Sequence, residues 1–446
     1  MSSLRKTYML YVFPICLLLM LAGCSSEEAE KVDGSPKKDV TLTFWFDDAG
    51  PLRTAIWKEL IATFEEEHPH IHIEYEGFVK DIAKPKFNSA LAMQTLPDVG
   101  SIYTSWLPEY TYREALVPLD SYFEKWEEGD KIAESLISYN RNISQDHQLY
   151  GLPYTRNMDV LWVRKDWLSN YELDTIDTWN DFFHTVKTFT DKEHQQYGYS
   201  IRGGEGSSLQ LQRMMYAYSG ISTYIKNGES TIDDPLHVEF LEKYLSLYDL
   251  HTSRNDIVKD YKGMLDDFEH GAVGLIQHNI GSYAEHQKVL SPDQFQALPL
   301  PKSVNGHYTV EAGNTMDMVM FEGTDHPEEA WTFISFIASQ KGQSHWNKRV
   351  GQLPTHEDVL EEGWVQNSPH LQTALSVYQD PNTKMYEPPF YLIAYNSIRF
   401  TIVEPGLQEV LSGTKTIEQF LKEWSVAIEN EYALYEKYHA QTGSAE

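Results

Sequence analysis

A chain of 446 residues is long enough to bury most of its surface in two domains, and its two cysteines are too few for a disulfide-dependent fold. With 66 acidic against 36 basic side chains the formal charge is −30, which excludes nucleic acid as a natural partner because the phosphate backbone would be repelled.

At the N-terminus Arg5 and Lys6 precede an apolar run from Tyr8 to Ala22 that Pro14 interrupts, so it falls short of the ~20 residues a spanning helix needs. It reads as a secretory h-region. Leu21-Ala22-Gly23-Cys24 is similar to the lipobox of bacterial lipoproteins, where the cysteine is diacylated after cleavage just before it. The expectation is a signal peptide over 1–23, lipidation at Cys24, and a flexible tether to 39, since SSEEAEKVDGSPKKD has no apolar period. Two acyl chains anchor a protein stably where one does not. Cys16 lies in the segment to be removed, leaving a mature domain without a disulfide.

Thr41 to Phe46 reads as a strand by its β-branched and aromatic content, and Asp47-Asp48-Ala49-Gly50-Pro51 as the turn after it. Leu52, Ile56, Leu60 and Phe64 recur every four residues and predict a helix, followed by a strand over Ile71 to Tyr75. A βαβ unit of this kind predicts a parallel sheet flanked by helices. The alternation continues with a helix over Lys86 to Gln94, a strand over Asp98 to Tyr103, helices to about Trp126 and a strand over Val160 to Val163. Thr178 and Asp181 have capping-box spacing. A Gly-rich loop, Arg202 to Gly206, precedes a Met- and Tyr-rich helix; Ala272 to Gln277 is a buried strand; Pro327 with Glu328 and Glu329 opens a further helix.

Common enzyme signatures are missing: no Walker A, no Gly-x-Gly-x-x-Gly after a strand, no Gly-x-Ser-x-Gly and no His-Glu-x-x-His. No catalytic residue and no cofactor is expected. His70 and His72 share a strand face but read as solvated residues at a helix-to-strand junction, and no metal is expected. Acidic pairs such as Asp47-Asp48 arise readily in so acidic a chain. Trp45, Tyr103, Trp106 and Tyr154 fall at strand ends or in loops, where aromatic faces stack on the C–H faces of pyranose rings; Trp162, Trp179 and Trp331 read as core.

In order along the chain, TLTFWFDD, HPHIHIEYEG, Leu96-Pro97-Asp98-Val99, Val117-Pro118-Leu119-Asp120, LYGLPYTRNMDVLWVRKDWL, TWNDFFHTVKTFTD, FEHGAVGLIQHNIGSY and AWTFISFIASQKGQSHWNKRVGQLPTHEDVL resemble the extracellular solute-binding proteins of sugar ABC transporters. The resemblance runs over nearly the whole chain from about residue 40. It implies an α/β, two-lobe periplasmic-binding-protein-like (type II) fold with a hinge and an interlobe cleft. Residues 40–152 plus 302–348 would form lobe 1, and 153–301 plus 349–446 lobe 2.

Carried over position by position, the resemblance implies ligand-binding roles for Trp45, Asp47 and Asp48 after the first strand, and for Tyr103, Thr104, Ser105 and Trp106 after Pro97-Asp98-Val99. It adds Tyr154, Arg156 and Asn157 at the first crossing, His278 and Asn279 after the buried strand, and Asn314 in the Ala312-Gly313-Asn314 turn. Tyr391, Tyr395, Phe400 and Glu404 are further candidates. Two departures stand out. Gly281 occupies the place of a stacking tryptophan, with Tyr283 two residues on, and Arg164-Lys165 replaces an Asn-Lys pair, read as surface variation.

The implied protein is a non-enzymatic, lipid-anchored, monomeric receptor on the extracellular face of a cell membrane, with a carbohydrate ligand and the transmembrane subunits of an ABC permease as partners. Arg53, Arg156 and Arg202 would pair with a uronate, but the expected ligand is a neutral oligosaccharide. The alternatives are a surface polysaccharide-degrading lipoprotein using paired carboxylates, and a receptor subunit signalling through a partner kinase.

Overall fold

A computed structural model describes residues 38–173 and 175–442; Cys16, Cys24 and most of the tether lie outside them. The strands are β1 (Val40–Phe46), β2 (Ile71–Gly77), β3 (Val99–Tyr103), β4 (Leu152–Arg156), β5 (Asp159–Arg164), β6 (Tyr197–Tyr199), β7 (Ile225–Lys226), β8 (Glu229–Ser230), β9 (Val273–Asn279), β10 (Phe295–Leu298), β11 (Thr309–Glu311), β12 (Thr315–Met320) and β13 (Lys384–Tyr386). Two sheets carry the architecture, in the orders β2-β1-β3-β12-β4 and β10-β5-β9-β6.

The βαβ unit forms as its pattern dictates. In VTLTFWF the residues Val40, Leu42, Phe44 and Phe46 all point into the core, the period-two signature of a strand with one buried face. Pro51 occupies the first turn of helix Pro51–Glu67, where a missing N–H costs nothing, and Ile56, Trp57, Leu60, Ile61 and Phe64 make its buried stripe. The helix returns the chain so that β1 pairs parallel with β2 and with β3. β12 then enters antiparallel to both β3 and β4.

Aromatic packing holds this first sheet to its helices. Trp57 lies 4.7 Å from Phe44 and 4.8 Å from Trp346 of helix Gln340–Val350, ring centre to ring centre. Both indoles are fully buried, each contributing roughly 4–6 kcal/mol by the area removed from water. Around the second sheet Trp162 packs on His286 and Phe295. Trp162 and Trp179 are buried in the core, and Trp331 packs against it half-buried.

Local signals hold with two differences. Thr178 and Asp181 form the reciprocal capping box, and Pro327 opens helix Pro327–Ala338. The second helix begins at Lys80, before the expected Lys86, with Pro85 inside it. Arg164 is buried rather than a surface variation, because its guanidinium packs on the end of helix Tyr261–Glu269, donating to the Phe268 carbonyl at 3.4 Å, and is neutralised by Asp166.

Chain crossings set the geometry between the sheets. β4 ends in the first sheet at Arg156 and β5 opens the second at Asp159, so only Asn157 and Met158 span the gap. A second crossing lies between β10 and β12, and a third after helix Gln340–Val350, where Leu353 bridges Arg156 and the Thr355 hydroxyl donates to the Pro153 carbonyl at 2.7 Å.

Candidate functional site

Strand ends from both sheets converge on one cavity of about 1280 Å³. Open α/β sheets bind ligands in the crevice beyond their strand ends, and this cavity follows that rule. From the first sheet come Asp48 and Arg53 after β1 and Tyr103 to Trp106 after β3; from the second come His278, Asn279 and Gly281 after β9. Asn157 and Asp159 at the first crossing, and Glu311, Gly313, Asn314 and Thr315 at the second, supply more of the wall.

Asp47, Asp48, Arg53 and Tyr103 hold one another in place. Asp48 forms an ion pair with Arg53 and accepts from the Tyr103 hydroxyl at 2.9 Å. Asp47, one residue earlier and fully buried, accepts from the Tyr103 backbone N–H at 3.1 Å and so fixes where the β3 loop begins. Burial, and after it the Asp47 charge, pushes the Tyr103 phenol well above its ordinary pKa, so it stays a donor.

Behind the same wall Thr104 donates to the buried carboxylate of Asp317 at 2.5 Å, and Asn140 donates to its other oxygen at 2.9 Å. Burial raises the Asp317 pKa to about 6 against the pull of those bonds. At the crossings the Asn157 N–H donates to the Asn314 carbonyl at 2.8 Å, tying the two interlobe strands together. In the second sheet His278 stacks on Tyr261 with ring centres 5.8 Å apart, and the Asn279 side chain accepts from the Gly281 N–H at 3.0 Å.

Of the residues expected from the sequence, Asp48, Tyr103, Thr104, Ser105, Trp106, Asn157, His278, Asn279 and Asn314 line the cavity. Four others do not. Trp45 points to the opposite side of β1 and lies between Phe78 and Phe87, at 5.0 and 5.2 Å. Asp47 serves the backbone, as above. Tyr154 is fully buried in the first core with its hydroxyl 2.9 Å from Ser101. Arg156 lays its guanidinium 3.4 Å above the Tyr378 ring. The cause is common to Trp45 and Tyr154: alternate residues of a strand face opposite ways, so one position decides between cleft and core.

The C-terminal candidates divide as well. Phe400 lines the cavity, whereas Tyr395 is buried with its hydroxyl on Gln212, Tyr391 packs on Tyr435, and Glu404 accepts from the Gly206 N–H. Gly281 lines the wall, and Tyr283 instead stacks on His370 at 3.8 Å. Lining residues that the sequence reading missed include Arg213, Tyr261, Glu311, Phe390 and Arg399. Tyr261 and Phe390 carried a compositional signal as aromatics; Arg213, Glu311 and Arg399 carried none.

His72 sits 3.9 Å from Glu65, and among the described residues no group of three or more His, Cys, Asp or Glu side chains is placed to hold a metal. Among those residues, too, no helix is long and apolar enough to cross a membrane.

Comparison with known proteins agrees with this geometry. The chain is 22% identical over 412 residues to a putative binding protein of Brucella abortus, covering 90% of each. It is 22% identical over 369 residues to the multiple sugar-binding protein of Streptococcus mutans, covering 79% of this chain and 82% of that one. An uncharacterized lipoprotein of Streptomyces antibioticus is 20% identical over 428 residues, 92% of this chain and 89% of that one. Among solved structures, the acarbose-binding GacH receptor of Streptomyces glaucescens superposes with a TM-score of 0.77 at 18% identity, over 88% of this chain and 98% of that one. A Thermotoga lettingae ABC transporter solute-binding protein bound with α-D-tagatose superposes with a TM-score of 0.76 at 21% identity, over 88% and 99%. The fold is therefore that of the two-lobe solute-binding proteins. The family profile described as bacterial extracellular solute-binding protein matches residues 50–344, and the chain belongs to that family.

Proposed function

We propose that the protein is the substrate-binding lipoprotein of an ABC importer, capturing a sugar, an oligosaccharide, between its two sheets and delivering it to a membrane permease. The observation that carries this reading is the cavity itself. At about 1280 Å³ it exceeds the ~300–1,000 Å³ typical of small-molecule pockets, and it is walled from both sheets by carboxylates, amides, hydroxyls and the Tyr103, Trp106 and Phe400 rings. Apolar ring faces stack on sugar C–H faces, and the polar groups take the hydroxyls.

Capture needs no chemistry. A ligand that touches both sheets favours the closed arrangement by its differential affinity, and the permease then distinguishes loaded from empty by shape. Asp48, Tyr103 to Trp106, Asn157, His278, Asn279 and Asn314 are the proposed contacts, on two lobes built around the two sheets. Diacylation at Cys24 would hold a monomeric receptor beside its permease; the lipobox supports this, as does the similarity to a lipoprotein.

The test is a titration of the detergent-solubilised full chain with mono- and oligosaccharides, followed by tryptophan fluorescence, since Trp106 lines the cavity. Chromatography of each sugar afterwards completes it. A saturable change with the sugar recovered intact is expected. Recovery of cleaved sugar, or no response to any saccharide, would overturn the reading.

A further inference from the structure

One stretch of the cavity wall is cationic, in a chain whose net charge is −30. Lys84 and Arg113 share a single carboxylate, Glu109, at 2.7 and 3.3 Å, and all three line the cavity. Arg399, also on the wall, is only 5% exposed, and among the described residues no carboxylate comes within ion-pair distance of it. Its Nε donates to the Ser208 hydroxyl at 3.2 Å and its Nη1 to the Asn396 side-chain oxygen at 2.8 Å. A guanidinium has five N–H donors, so three of these remain.

Arg399 opens a π-helical turn, Arg399–Val403, and Pro405 follows it without an N–H to donate. Nearby Arg202, which also lines the cavity, donates from Nε to the Glu205 carbonyl. Its guanidinium passes over Gly206, where an added Cβ would lie 2.1 Å from Nη2.

Burying a cation beside neutral partners is unfavourable. Burial lowers the pKa of Arg399, Arg202 and Lys84, and the Arg399 charge lowers that of Lys84 further. Glu404 and Glu311 offset Arg399 only from beyond contact distance, Glu404 being held by the Gly206 N–H and the Ser208 hydroxyl. The arrangement is therefore incomplete without an anion. Three free donors on a planar fork match a carboxylate.

We propose that the ligand is an acidic oligosaccharide whose uronate carboxylate is gripped by Arg399 and faced by Lys84. This rests on the sugar-binding reading above and departs from the neutral sugar that the sequence favours. Of Arg53, Arg156 and Arg202, the first is taken by Asp48, the second faces Tyr378 and the third lines the cavity; Arg399 is the one the motifs did not reach.

The experiment is calorimetric titration of the full chain with matched pairs: trigalacturonate against α-1,4-galactotriose, and a mannuronate trisaccharide against mannotriose. The acid member of one pair should bind at least about tenfold tighter, the worth of one charge-assisted hydrogen bond. The preference should shrink as ionic strength rises and vanish in Arg399→Gln. Arg399→Lys and Lys84→Met, checked for an unchanged melting temperature, guard against a folding defect in the first variant. Equal or tighter binding of the neutral member overturns the proposal and leaves the sugar reading standing. So does binding of other neutral saccharides when neither member of any pair binds. Stronger binding of a sugar phosphate would overturn the carboxylate in favour of that anion. Failure of every saccharide, charged or neutral, brings down both readings together.

Discussion

Arg213 and Glu311 form a two-pronged ion pair at the cavity wall, Nε donating to Oε2 at 2.6 Å and Nη2 to Oε1 at 3.1 Å. The third donor, Nη1, reaches Asp159 at 3.0 Å, so one guanidinium ties helix Ser207–Ser219 to the start of β5 and the end of β11. Burial alone would lower the Arg213 pKa, but the two carboxylates outweigh it and hold the charge firmly. Arg213→Met leaves two mostly buried carboxylates facing each other, an expected loss of about 3–5 kcal/mol. Glu311→Gln should cost markedly less, because Asp159 still balances the guanidinium. Thermal unfolding of both variants checks the ranking; equal losses would show that the pair acts through packing alone.

Asp48 is positioned on two sides, by Arg53 and by the Tyr103 hydroxyl, yet still lines the cavity. A charged acceptor fixed in this way suits a sugar hydroxyl. Asp48→Asn should weaken saccharide affinity about tenfold or more, the worth of a hydrogen bond to a charged group, while the melting temperature moves little. Titration calorimetry on the two proteins reads the difference. An unchanged affinity would remove Asp48 from the contacts.

How far the sequence foretold these features depends on the range of the interaction. β1 and its helix were legible because Thr41 to Phe46 are β-branched and aromatic and Leu52, Ile56, Leu60 and Phe64 recur every four residues, each signal local to its own element. Tyr103 to Trp106 were legible as a loop at a strand end. Trp45 and Tyr154 were not, since a strand's phase assigns them to cleft or core and composition cannot read phase. Arg213 and Arg399 were invisible for another reason. Arg213 meets Glu311 across 98 residues, and Arg399 meets Ser208 across 191, so nothing near either arginine announces its partner. Arg164 misled in the same way, its guanidinium meeting the Phe268 carbonyl 104 residues along the chain.

Gly313 has φ +63°, and a Cβ there would lie 1.8 Å from Cε1 of Tyr139. Both constraints demand glycine: the left-handed backbone disfavours a side chain, and the Tyr139 ring already fills the space. Because Asn314 follows directly and its carbonyl accepts from the Asn157 N–H, a shift here moves the crossing as well as the turn. Gly313→Ala should lower stability by about 2 kcal/mol or more and weaken saccharide binding together. Coupling of the two losses is the informative readout. A variant as stable as the parent would mean that Tyr139 yields freely.

Stability should depend on pH through two opposed sets of buried groups. Burial lowers the pKa of His237 and of His370 to about 4, the latter stacked on Tyr283 with Nε2 near the Gly351 carbonyl. Between pH 6.5 and about 4 the unfolded chain therefore takes up protons that the native state refuses, and stability falls as pH falls. Burial raises Asp317 and Asp256 to about 6, which has the reverse sign. Between about 6 and 3.8 the native state holds the extra proton, so stability rises as pH falls and that contribution is gone above about pH 6. Single variants expose each term. His370→Phe keeps a ring against Tyr283 and should gain on the parent by up to about 1.4 kcal/mol per pH unit as pH drops below 6.5. Asp317→Asn should compare best with the parent above pH 6 and lose that advantage on acidification. Melting temperatures of the three proteins across this range should therefore diverge in opposite directions, and parallel curves would show that neither group is linked to folding.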